Sequence, residues 1–244
     1  MIPSSSAPAF QTRFASLSLH MTDRLRFLRF PQEVIQACQQ TVALTWRRGI
    51  QAARPYGRSF ELKLNGNPWR GQGDQAMEAR RLMYALLGRL HSLGWVMTLS
   101  TDVSKKGMDK DALLFRFQDP PPAECDWASI AFSKTDRIRF IDLPREIRDT
   151  VAAKLGRMVQ EQLTYMPGIY EIKLYGSPWY ASGEETMRAR DLLLTLLETL
   201  EEEGWTVYAS IDQKNASGDN YSETDTWHLC KPKGWIKGAP VYHS

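Results

Sequence analysis

Arginine is the residue type whose spacing most invites a chemical reading of this chain. Arg24, Arg26, Arg29, Arg47, Arg48, Arg54, Arg58 and Arg70 run through the first third, with Trp46, Tyr56 and Trp69 interleaved. Cations beside flat rings are what a single-stranded nucleic acid needs, the charge for its phosphates and the rings for its bases. The same guanidiniums suit a phosphorylated ligand. The segment WRRGIQAARPYGR (residues 46–58) is the best placed, because its counterpart later in the chain, VQEQLTYMPGI, is uncharged except for one Glu. A surface loop that happens to be basic is the simpler account of it. Arg24 and Arg26 alternate with Leu25 and Phe27 and so share the polar face of a strand. Arg137 and Arg139 stand at the matching places in an acidic region, which argues for a structural role in both.

Arg80 is a further candidate. It shares one flank of a helical segment with Gly73, Met77 and Tyr84, and Gly183, Met187, Arg190 and Leu194 reproduce that flank. A helix with two occupied faces packs against two things, its own sheet and something else. Arg80 and Arg190 would pair with Glu61 and Glu171 or with Asp102 and Asp212, since guanidinium favours a bidentate carboxylate. Failing that, Arg80 is the first choice for ligand contact.

Catalytic chemistry finds little support. His20, His91, His228 and His243 fall at unmatched positions, and no serine-hydrolase elbow, zinc-protease motif or Cys/His pair is present. Glu61 and Asp102 would make an acid/base pair only with a nucleophile or metal that the sequence does not supply. The segments GNPWRGQGD and GSPWYASGE precede a helix, where backbone N–H groups bind anions. They lack the phosphate-loop Lys and the dinucleotide Gly spacing, and the acidic residues that follow repel phosphate. Trp69 and Trp179 there read as plugs closing the end of a core. No catalytic residue, metal ligand or cofactor is assigned.

These side chains are positioned by a duplication. Residues 60–102 return as residues 170–212: at a shift of 110, Pro68 and Trp69 meet Pro178 and Trp179, and Gly94 and Trp95 meet Gly204 and Trp205. A shift of 113 superposes TDRLRFLRFPQEV on TDRIRFIDLPREI. A unit of about 105 residues means two whole domains and not a solenoid repeat. Alternation on both sides of the Thr-Asp pairs predicts a β-hairpin. Pro31 and Pro144 open a first helix, which buries Val34, Cys38 and Val42, or Ile147, Val151, Leu155 and Val159. A strand (FELKL or YEIKL) and a second helix, stopped by Gly94 or Gly204, come next. Two further strands then close the unit. Each copy reads as ββαβαββ, an α+β domain with two helices on one face of a mostly antiparallel sheet. The two copies are expected to form one body with a pseudo-twofold arrangement, by sheet packing or by joined edges.

The boundaries are residues 1–13 as a flexible arm, 14–118 as the first repeat, 119–125 as a Pro-rich linker, 126–232 as the second repeat and 233–244 as a tail with Trp235 and Tyr242. Residues 1–120 carry 17 Lys/Arg against 9 Asp/Glu, and residues 121–244 carry 14 against 19. The basic first copy is therefore the seat for an anionic partner. No secretory signal or membrane-length apolar run is seen, and three cysteines without metal spacing suit a reducing interior, cytoplasmic or nuclear.

The twin pattern Glu-x-Lys-Leu-x-Gly-x-Pro-Trp, a helix, then Gly-Trp and Ser-x-Asp resembles a tandem-repeat family encoded in fungi and some invertebrates. The resemblance spans residues 22–118 and 135–230 and implies a duplicated domain in an intracellular setting. It carries over no catalytic residue, cofactor or partner. The expectation is a monomeric, non-catalytic binding or adaptor protein that meets a protein partner through its basic first repeat. Binding of single-stranded nucleic acid or a phosphorylated ligand stands second, and an enzyme third.

Overall fold

A computed structural model of the chain describes residues 11–70, 73–101, 109–212 and 225–241. The first repeat runs β1 (Phe14–His20), β2 (Arg24–Leu28), α1 (Gln32–Thr45), β3 (Ile50–Tyr56), β4 (Ser59–Leu64), α2 (Asp74–Ser92), β5 (Trp95–Thr101) and β6 (Asp109–Phe117). The second runs β7 (Cys125–Ser133), β8 (Arg137–Ile141), α3 (Arg145–Leu155), β9 (Val159–Met166), β10 (Ile169–Leu174), α4 (Glu185–Glu202), β11 (Thr206–Ile211) and β12 (Thr226–Pro232). Each repeat folds into one antiparallel six-stranded sheet, ordered β3-β4-β2-β1-β6-β5 in the first and β9-β10-β8-β7-β12-β11 in the second. The duplicated α+β domain is thus realised in both halves.

Each repeat holds one strand more than the ββαβαββ pattern. The basic segment expected as a loop, residues 46–58, contains β3, which pairs with β4 at the sheet edge, and β9 repeats it. An edge strand with mostly exposed side chains shows no apolar alternation, and Pro55 is tolerated there because an edge position needs no second ladder bond. The helix α3 also ends sooner than its apolar stripe suggests. Gly156, at φ 51°, breaks it, and Val159 opens β9 instead of extending the helix.

Both helices of a repeat lie on one face of its sheet. In the first, Val34, Cys38 and Val42 of α1 and Leu82, Met83, Leu86 and Leu90 of α2 bury against Leu17, Leu25, Leu62 and Phe115. Gly94 has φ 82°, and a Cβ there would lie 2.4 Å from the carbonyl oxygen of Gln118, so the turn from α2 into β5 admits only glycine. No helix among the described residues is long and apolar enough to cross a membrane.

The repeats are not exchanged by a twofold. The free flank of α2 packs on the outer face of the second sheet, where Ala76 and Met77 meet Ala131, Ile141 and Ile169. A Cβ on Gly88 would come within 2.9 Å of the Trp127 indole. Ala209 and Ile211 of β11 join the first repeat's core, and the Tyr208 hydroxyl accepts the Met97 N–H at 2.7 Å. A twofold would seat α4 on the first sheet in the same way, yet Met77 is 1% exposed and its counterpart Met187 is 53% exposed. The expected pseudo-twofold gives way to a head-to-tail docking, because the α2 flank (Ala76, Gly88, His91) is smaller and less charged than the α4 flank (Thr186, Glu198, Glu201).

Candidate functional site

The outer face of the first sheet is the one large sheet face among the described residues that no helix covers. Its geometry follows from strand alternation. On β2, Leu25 and Phe27 point into the core while Arg24 and Arg26 point out. On β4, Leu62 and Leu64 point in while Glu61 and Lys63 point out.

At the centre lies Glu61, a carboxylate with no solvent-exposed surface. Arg24 donates to its Oε1 at 3.0 Å, Arg26 to its Oε2 at 3.0 Å, and Arg54 to Oε1 through Nη2 at 3.0 Å and Nε at 3.3 Å. Burial pushes the carboxyl up, but hydrogen bonds from Arg26, Arg54 and Arg24 outweigh it and hold Glu61 below the usual carboxylate range. Three guanidiniums surround one carboxylate, so the cluster keeps a cationic surplus. The Arg26 guanidinium lies 3.8 Å over the ring of Tyr56, and Lys63 stands 3.9 Å from Asp23. In the second repeat Glu171 is bound by Arg137 and Arg139 alone, because Leu163 occupies the place of Arg54.

The residues singled out from the sequence do not converge on this face. Arg54 lies on it. Arg58 is exposed in the turn beyond β3, while Arg47 and Arg48 lie in the turn that precedes that strand, at its opposite end. Arg47 reaches Glu78 of α2 at 3.9 Å, the Arg48 stem lies against Gly66, and Arg70 is exposed as the last residue of the short Pro68–Arg70 turn. Trp46 and Trp69 are wholly buried, their ring N–H groups donating to the carbonyls of Asn65 (2.9 Å) and Arg24 (3.0 Å). Neither can stack on a base as placed. Trp179 is half-buried and donates to the Arg137 carbonyl at 3.2 Å, while Trp95 and Trp205 are buried in their cores. Pro178 opens the turn that carries Trp179. Gly204, at φ 83°, ends the segment after α4.

Arg80 is buried between the repeats. Its Nε donates to the Thr226 hydroxyl at 3.0 Å and its Nη1 to the Ala76 carbonyl at 3.2 Å. Glu61 is taken by its own strand neighbours, and Asp102 lies outside the described residues, as do Tyr242 and His243. Arg190 is exposed on α4. The residues that sequence reasoning passed over on the open face are Phe14, Leu28, Leu99 and Arg116. All four are exposed, and all lie at outward positions of strands.

A hydroxyl–imidazole pair, Ser129 and His228, is also present, with Ser129 Oγ 2.8 Å from His228 Nδ1. Burial, and then the Arg80 charge, press the imidazole down to about 3, so it is neutral at ordinary pH. Both residues are fully buried beneath α2, so the pair has no route to a substrate. Among the depressions of the described residues, one of about 440 Å³ lies beside Phe30 and Trp95 and another of about 420 Å³ beside His91 and Trp127, both shallow. No group of three or more His, Cys, Asp or Glu suited to a metal occurs among the described residues.

Comparison with curated proteins and with solved structures gives no match. One family model matches the chain twice, over residues 13–116 and 126–230. The chain belongs to the family that this domain defines, and it carries the domain in tandem.

Proposed function

We propose that the protein is a non-catalytic binding module that engages an acidic protein surface through the outer face of its first sheet. One observation carries the reading. The equivalent face of the second sheet is covered by α2, whereas the first is open and rich in cations: Arg24, Arg26 and Arg54 about Glu61 with Lys63 beside them, and Arg116 at the far corner of the same face. Three thiols without disulfide partners fit a cytoplasmic or nuclear setting.

Exposed rings on the same face, Phe14 and Tyr56, favour single-stranded nucleic acid as a second reading. The burial of Trp46 and Trp69 weakens it. The burial of Ser129 and His228 removes the hydroxyl–imidazole pair as support for a catalytic role.

The test is fluorescence anisotropy of the full chain with a labelled oligoglutamate peptide and with an oligothymidylate, at about 50 mM salt where exposed charges are weakly screened. Arg116→Glu and Arg54→Glu are expected to weaken the peptide about tenfold or more, while Arg157→Glu, exposed on the second repeat, leaves it unchanged. Equal loss in all three variants, or no binding of the peptide, overturns the proposal. Binding of the oligothymidylate alone replaces it with the nucleic-acid reading.

A further inference from the structure

The contact that joins the repeats uses one surface of each and leaves the matching surface of each unused. The α2 flank of the first repeat lies on the second sheet, and the α4 flank and the outer face of the first sheet remain open. Because the repeats share one fold, each unused surface is the counterpart of a surface already in contact.

The unused pair is complementary in charge where the used pair is. Within the chain, Arg81 of α2 donates to Asp142, at the end of β8, through two hydrogen bonds of 2.7 Å. The counterpart of Arg81 on α4 is Asp191, and the counterpart of Asp142 at the end of β2 is Arg29. The signs are reversed on both sides, so the attraction is kept. Arg29 and Asp142 also share the left-handed backbone, at φ 65° and 57°. Asp191 and Arg29 are exposed, and among the described residues neither has an ion-pair partner.

A second substitution follows the same logic. Gly88 lies against Trp127, which pairs across the ladder with Cys230. Glu198, Phe14 and Arg116 take these three places, and Phe14 pairs with Arg116 in the ladder. An acidic helix position again faces a basic strand position. The apolar partners are present as well: Met187 and Leu194 are exposed on α4, and Phe14, Leu28 and Leu99 on the first sheet.

We infer that the occupant of the open sheet face is a second copy of this chain, whose α4 flank docks there and repeats the internal contact with Asp191 against Arg29. This rests on the open face being the contact surface. The contact is heterologous, so each copy offers one donor surface and one acceptor surface, and association proceeds to a ring or an open filament. Glu198 in place of Gly88 keeps the helix from closing as tightly as α2 does. The contact is therefore weak, with a dissociation constant on the order of 10 to 100 µM.

Sedimentation velocity of the full chain from about 1 to 300 µM, spanning that range, is the test. The wild type is expected to shift to species larger than a dimer with rising concentration, and less so at high salt. R29D and D191R each weaken association about tenfold or more, and the double variant R29D/D191R restores it. A circular-dichroism melt on each variant establishes that it is folded. A chain that stays monomeric throughout overturns the self-docking, as does association that neither variant weakens or a double variant that does not recover. Oligoglutamate binding by a monomeric chain overturns the self-docking while leaving the basic-face reading in place. Self-association that requires both Asp191 and Arg29 supports it even where oligoglutamate does not bind.

Discussion

Arg81 and Asp142 are joined across the repeats by two hydrogen bonds of 2.7 Å, and the Tyr84 hydroxyl donates to the same carboxylate at 2.7 Å. Their counterparts, Asp191 and Arg29, carry the opposite charges on two open surfaces. One pair holds the molecule together, and the other faces outward. Asp142→Asn should remove one charge and loosen the repeats. Both side chains are about a quarter exposed, so the expected cost is about 1–2 kcal/mol. Thermal denaturation reads the loss, and hydrogen exchange should place it at α2. An unchanged midpoint would show that the pair does not bind the repeats.

The helix flanks give a paired prediction. Met77→Ala opens a cavity between the repeats and should cost about 2–3 kcal/mol in urea unfolding. Met187→Ala alters an exposed side chain and should stay within about 0.5 kcal/mol. Similar losses at both positions would mean that both flanks are covered.

Glu61→Gln should destabilise the first repeat by roughly 2–3 kcal/mol, because it leaves three guanidiniums facing one another with no anion between them. The folded carboxyl titrates below its ordinary range, so its contribution is present above the unfolded value of about 4.3 and is lost as pH falls through the folded one. The wild-type unfolding midpoint should therefore drop below about pH 4, and the variant should lack that part of the drop.

His228 works in a higher window. Its folded pKa of about 3 lies below the unfolded value of 6.5, so the unfolded chain takes up the proton first and stability falls as pH drops below 6.5. Between pH 6.5 and 5 the expected loss is roughly 2 kcal/mol. His228→Leu, which installs the residue that its counterpart Leu114 already is, should flatten that slope at a cost of about 1 kcal/mol for the orphaned Ser129 hydroxyl. A slope that persists in the variant would assign the titration elsewhere.

Much of the domain was legible in the sequence, since each helix carries one apolar stripe and β1, β2 and β4 alternate. The strand β3 was not, because Arg54, Tyr56 and Pro55 at an exposed edge answer to solvent and not to a core. The Gly73–Met77–Arg80–Tyr84 flank announced that α2 packs on two surfaces. It did not say that α4 packs on only one. That difference depends on Gly88 against Glu198 and on Ile141 against Leu28, side chains whose meaning appears only when the surface facing them is known. The candidate face was hidden for the same reason. Arg24 and Arg26 recur as Arg137 and Arg139, so nothing in their spacing shows that one sheet is covered and the other is open. Trp46 and Trp69 looked like stacking rings only until their burial was known.

The most direct test of the central claim, that the outer face of the first sheet is open while that of the second is covered, uses two equivalent serines. Ser16 and Ser129 hold the same outward register, opposite Leu28 and Ile141. With Cys125 replaced by serine, Ser16→Cys and Ser129→Cys are each labelled with a maleimide at low protein concentration under native conditions. The thiol at position 16 is expected to react at least about a hundredfold faster than the one at 129, where access requires the repeats to part at a cost of some 3 kcal/mol. Equal rates at the two positions would contradict the claim.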